Sequence, residues 1–193
     1  MRRSTPWTGL LLLSAAFSAG CMKSAAPSLP PTTPPPSRPA TVPVDTAAPP
    51  NRKLQGAEAS EWALSLKALE ALEKRDAAAL GALRITEREY KDLLFPELPA
   101  AGPGQTIPVD THWYLLDMKS LKGLREVIQD YGGEKLELLE VIPTGGVEEY
   151  KTFKLLKKVE LRVRRPNGEE SRIRVFGSIF VLDGQFKVVS FPS

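Results

Sequence analysis

At 193 residues, 42% hydrophobic and 25% charged, the chain has room for one or two domains and enough apolar material for a core without staples. The formal net charge of +3 comes mostly from Arg2 and Arg3 at the start, so the remainder is close to neutral. It lacks the basic excess that supports phosphate recognition, and nucleic acid is not expected as a partner. A single cysteine, Cys21, excludes an internal disulfide, and with a single histidine it leaves no zinc site of the usual ligand types. No metal and no cofactor are expected.

Residues 1–20 read as a secretory signal peptide. Arg2 and Arg3 form a positive start, and an apolar run from Trp7 to Phe17 centres on Leu10, Leu11, Leu12 and Leu13. That run is shorter than the roughly 20 apolar residues a membrane span needs. Ser18, Ala19 and Gly20 then lead into Cys21. The arrangement resembles the lipobox of bacterial lipoproteins, in which the leader is cut before a cysteine that is then diacylated on sulfur. Ser18 departs from the family's usual Leu or other aliphatic residue. An ordinary signal peptide cut at a small-residue site, such as after Ala16, is the alternative. The position of the only cysteine and the tether that follows favour acylation of Cys21. The resemblance implies a lipid anchor in the cell envelope. Met22, where Asp holds many family members at the inner membrane, points to the outer membrane.

Residues 21–52 comprise this cysteine and a proline-rich tether, with Pro34, Pro35 and Pro36 at its centre and Ser, Thr and Ala between the prolines. Such a composition cannot offset its ordering entropy and is expected to stay unfolded. Proline density biases it towards polyproline II, a stiff spacer reaching roughly 80 Å at about 3.1 Å per residue.

Residues 53–193 read as a single α+β domain. Trp62, Leu66, Leu69 and Leu72 recur at helical spacing over residues 58–75, which predicts an amphipathic helix. Asp76 can cap a second short helix. Thr86 and Glu89 match a capping box for a third, which holds Tyr90, Leu93 and Leu94 and stops at Phe95-Pro96. A loop rich in Pro and Gly follows. Residues 110–131 again carry a helical pattern, with Trp113, Leu116, Leu121, Leu124 and Val127 on the apolar side, Ser120 as a point of restart and Gly132-Gly133 as the stop.

Beyond Gly133 the period becomes alternating, with a turn at residues 143–146 and a long strand over 150–165. A three-residue loop at Pro166-Asn167-Gly168 keeps core residues on one face, pairing Leu161 with Ile173, whereas a two-residue turn mixes the faces. Asp183-Gly184 suits a two-residue turn that pairs Val181 with Phe186 and Ile179 with Val188. The expected architecture is N-terminal helices on one face of a curved antiparallel meander of about four strands. This element order resembles the nuclear-transport-factor-like superfamily, including SnoaL-type cyclases and ketosteroid isomerases. The resemblance implies a cone whose sheet wraps a pocket, with ligand binding or dimerisation through the sheet in many members.

Three sets of residues are candidate sites. His112, Tyr114, Asp117 and Tyr131 are weak catalytic candidates, because the resembled enzymes use His, Asp and Tyr as acids and bases in the cone; rim positions on a helix are the simpler account. Arg162, Arg164, Arg172 and Arg174 alternate with core residues and so share the outer sheet face. They are a candidate anion patch, although Glu160 and Glu170 interleave with them and favour a solvated face. Phe176, Phe180, Val189 and Phe191 fall on that same face as a candidate partner surface, unless a covering segment or a bulge at Gly177 removes them from solvent. The functional expectation is an envelope lipoprotein displaying a small-ligand- or protein-binding domain, held to the membrane by its lipid. A cofactor-free isomerase or dehydratase, and a structural protein that self-associates as a homodimer or larger assembly, are the alternatives.

Overall fold

Helices lead and strands follow, as the change of period at Gly133 predicts. The computed structural model describes residues 52–104 and 106–193, which lie in a unit spanning Thr46–Ser193. The expected leader, Cys21 and the expected tether through residue 51 lie outside the described residues. The architecture is α+β, with helices α1 (Glu61–Glu73), α2 (Ala77–Ala82), α3 (Glu87–Glu89) and α4 (Val109–Tyr131). Seven strands follow: β1 (Glu137–Pro143), β2 (Val147–Glu149), β3 (Lys154–Lys157), β4 (Val159–Arg164), β5 (Glu170–Ile173), β6 (Ser178–Leu182) and β7 (Gln185–Ser190).

Local chemistry sets the helix starts. The Ser60 hydroxyl accepts from the N–H of Ala63 at 3.0 Å and caps α1, and the Asp76 carboxylate accepts from Ala79 at 2.9 Å and caps α2. Thr86 and Glu89 form the full capping box. After α3 the chain widens into a π turn over Tyr90–Leu94 and tightens into 3-10 turns at Phe95–Glu97 and Pro99–Ala101. The buried face of α1 is Leu64, Ser65, Ala68, Leu69, Ala71 and Leu72, not the stripe begun by Trp62 and Leu66. Those two are 44% and 47% exposed, because small Ala and Ser side chains let the helix lie close to its neighbours.

The meander is antiparallel throughout, in two sheets, β1-β4-β5 and β2-β3-β6-β7. Two predicted hairpins have the expected registers. Leu161 pairs with Ile173 across the Pro166-Asn167-Gly168 loop, with Gly168 left-handed at φ 85°. Val181 pairs with Phe186 and Ile179 with Val188 across Asp183-Gly184, both left-handed, as a type I′ turn requires. The expected long strand over 150–165 is instead two, β3 and β4, separated by Lys158 at φ 49°. The Lys158 N–H donates to the Gly177 carbonyl at 2.8 Å, and the Gly177 N–H donates to Ser190 at 2.8 Å. Both long strands therefore bend at the same level, which divides one meander into two sheets.

The bend produces two cores. The first holds Leu64, Leu72, Leu124 and Val127 of the helices against Val159, Leu161, Val163, Ile179 and Val188 of the sheets. The second lies on the other face of the lower sheet. On this face of the β2-β3-β6-β7 sheet, Leu54, Ile85, Tyr90 and Leu94 cover Phe153, Leu155, Phe180, Leu182 and Val189. The expected partner surface is corrected accordingly: Phe176, Phe180, Val189 and Phe191 are 0%, 1%, 5% and 2% exposed. The irregularity beside Gly177 turns Phe176 into the first core together with its neighbour Val175, and Phe191 joins it there. Phe180 and Val189 stay on the outer face, but the segment around Leu54 and the turns after α3 cover them. The edge of β7 is also covered, since Glu58 bridges Phe186 and Arg84 bridges Val188, which blocks edge-to-edge pairing.

Helix α4, about 35 Å long at 1.5 Å per residue, runs unbroken through Ser120 and serves both cores. Trp113 and Leu116 pack on the second core and Leu124 and Val127 in the first. Ser120 does not restart the helix; its hydroxyl accepts from the Phe191 N–H at 3.1 Å. One turn on, a Cβ at Gly123 would lie 1.9 Å from the Pro192 carbonyl oxygen, so only glycine lets the C-terminal segment cross α4. Gly123→Ala is therefore expected to destabilise by about 1–3 kcal/mol through overpacking, despite alanine's better helix propensity. Gly81→Ala, in α2 with nothing within 4 Å of the new Cβ, is expected to stabilise by about 0.5–1 kcal/mol. Denaturant unfolding of the two variants checks both signs.

Candidate functional site

The catalytic candidates are not brought together. His112 sits in the first turn of α4, with its ring 5.3 Å from that of Phe95 and its Nε2 buried without a partner. Tyr114 is 60% exposed on the outward side. Asp117 accepts from Arg84 Nη2 at 2.8 Å. Tyr131 lies in the last turn, about 28 Å along the axis from His112, beside a shallow groove lined by Glu126, Asp130, Arg174 and the C-terminal Ser193. The interior between helices and sheet, where the resembled enzymes hold substrate, is filled by apolar side chains such as Leu64, Leu72, Val159 and Leu161, all at 0–1% exposure.

The arginines do share an outer face. Arg162 and Arg172 are direct cross-strand partners. Arg162 pairs with Glu140 at 3.2 Å, and Arg164 with Glu137 and Glu170 at 3.0 Å each. Glu170 of β5 reaches both Arg162 and Arg164, and the other two carboxylates come from β1, which interleaving within β4 and β5 does not reveal. Arg172 and Arg174 make no ion pair among the described residues.

Sequence reasoning missed the buried ionic centre. Lys187 in β7 has a side chain only 1% exposed, and its Nζ donates to Glu89 Oε2 at 2.8 Å and to the Gln55 carbonyl at 2.7 Å. Glu89 also accepts from the N–H groups of Gln55 and Thr86, at 2.8 and 2.7 Å. Burial pushes the Glu89 carboxyl up, but Lys187 and these two N–H groups outweigh it and hold the carboxyl below its ordinary value. A second buried cation, Arg84, faces Asp117 and lies 6.0 Å from the Trp113 ring centroid. Each cation is held by a carboxylate from a helix, Glu89 for Lys187 and Asp117 for Arg84. Among the described residues no group of three or more His, Cys, Asp or Glu side chains could hold a metal ion.

The largest set of exposed apolar side chains on one described element lies on the outward face of α4. Tyr114, Leu115, Met118 and Leu121 are 60%, 46%, 52% and 36% exposed. Leu121 lies on the predicted apolar side, but Ser120 and Leu124 take the inward positions on either side of it. No family model matches the chain, and neither a curated protein nor a solved structure matches it.

Replacing Lys187 by Met would leave Glu89 buried without its cation, at an expected cost of about 3–5 kcal/mol. The pH dependence has a definite sign. A carboxyl held below its unfolded value adds stability at neutral pH that is lost as pH falls through the folded value. The difference between the wild type and Lys187→Met should therefore shrink as pH drops below the ordinary glutamate value near 4.5. Chemical unfolding at pH 7 and at progressively lower pH measures it.

Proposed function

We propose that this chain is an envelope lipoprotein, exported by its leader, acylated at Cys21 and displaying its α+β unit on a proline-rich tether as a binding module. The module engages its partner through its outer surface. The observation that carries this reading is the contrast between a core filled by aliphatic side chains and an outward α4 face bearing four exposed apolar residues. Soluble domains scatter single exposed apolar groups, whereas a contiguous set on one face marks an interaction site. The helices-then-meander order supports kinship with the nuclear-transport-factor-like fold, but a packed interior gives no support to chemistry inside a cone. The leader, the cysteine and Met22 support placement at the outer membrane.

The anchor is tested in bacterial cells fed labelled palmitate. The wild type should take up label and fractionate with membranes, and Cys21→Ala should do neither. Label that survives in the alanine variant would remove the lipoprotein reading.

A further inference from the structure

We propose that the outward face of α4 docks flat on an anionic bilayer surface, an inference that rests on reading this face as the binding surface. Tyr114, Met118 and Leu121 recur at i, i+4 and i+7, and Leu115 flanks them, so they form one exposed stripe. The stripe is continued and flanked by cations. Arg125 follows at i+11, and Lys119 and Lys122 lie beside it, all three exposed.

The charge on this face selects its occupant. Between Asp110 and Glu126 the only acid on α4 is Asp117, and it is held by Arg84. Glu126 meets Lys122 at 3.5 Å, with both side chains solvated, a pair too weak to cancel three cations. Apolar side chains with a tyrosine among them, bordered by lysine and arginine, suit the boundary between acyl chains and headgroups. The basic heads reach lipid phosphate while their stems lie along the apolar stripe. A second copy of the chain would present the same three cations to this face. A layer of anionic headgroups presents their complement.

The test uses residues 46–193, which span the compact unit with both cores and carry neither leader nor Cys21. This unit is cosedimented with phosphatidylcholine vesicles and with vesicles in which about a third of the lipid is phosphatidylglycerol. Binding is expected only to the anionic vesicles, and several-fold weaker at roughly 0.5 M NaCl, where the Debye length is short. Met118→Glu, at a position 52% exposed, should weaken binding roughly tenfold or more while leaving the thermal midpoint unchanged. The proposal is overturned if anionic vesicles bind no better than neutral ones, or if Met118→Glu binds them equally well. It is also overturned if the variant abolishes concentration-dependent self-association instead, which would assign the same face to a second copy. Because Cys21 is missing from this unit, its lipid binding and palmitate labelling of the full chain succeed or fail independently.

Discussion

A lysine ammonium taken out of water must find its counter-charge inside the fold, and this requirement organises one side of the molecule. Lys187 meets Glu89 at 2.8 Å, and Glu89 collects N–H groups from Gln55 and Thr86 as well. One carboxylate thereby joins the N-terminal segment, the capping box of α3 and the edge strand β7. Removing any of the three would strand a charge or an N–H group in a poorly solvated place, and unpaired buried groups cost far more than paired ones gain. The cover over Phe180 and Val189 is held in place by this centre.

The second constraint is the bend at Lys158 and Gly177. A flat four-stranded sheet of this composition would show one apolar and one mixed face along its whole length. Interrupting the strands at one level separates the β1-β4-β5 sheet, whose outer face is solvated and laced with Arg–Glu pairs, from the β2-β3-β6-β7 sheet, whose strands β6 and β7 bury residues on both faces. A Cβ at Gly177 would lie 2.6 Å from the Ser190 hydroxyl and 3.1 Å from its carbonyl oxygen, so glycine is what allows β7 to approach this closely without displacing Ser190.

Helix α4 links the two halves. Its inward side changes from Trp113 and Leu116 on the second core to Leu124 and Val127 in the first, with Ser120 and Gly123 between them under the C-terminal segment. Its outward side is free of such duties and carries the exposed apolar stripe. The division suits the proposed binding module: a unit stabilised from within, with one long helix face left for a surface.

The sequence by itself determined what local chemistry can decide. Turn residues set both hairpin registers, because Gly168 and Asp183-Gly184 admit the left-handed backbone that only certain loops use. Side-chain oxygens set the helix starts at Ser60, Asp76 and Thr86, and the α+β order follows from the change of hydrophobic period. The tertiary structure alone decided which faces were dry. Lys187 alternates with core positions in β7, and its partner Glu89 stands 98 residues away, beyond the reach of any pattern along the chain. Phe176 and Phe180 fall on the outer face by register, with a bulge at Gly177 or a covering segment as the two ways out of solvent, and only the tertiary structure assigns the first to Phe176 and the second to Phe180. Trp62 and Leu66 read as buried because side-chain size, not neighbouring alanines, dominates a hydrophobic pattern. Periodicity reports which residues share a face, and only long-range packing determines what that face meets.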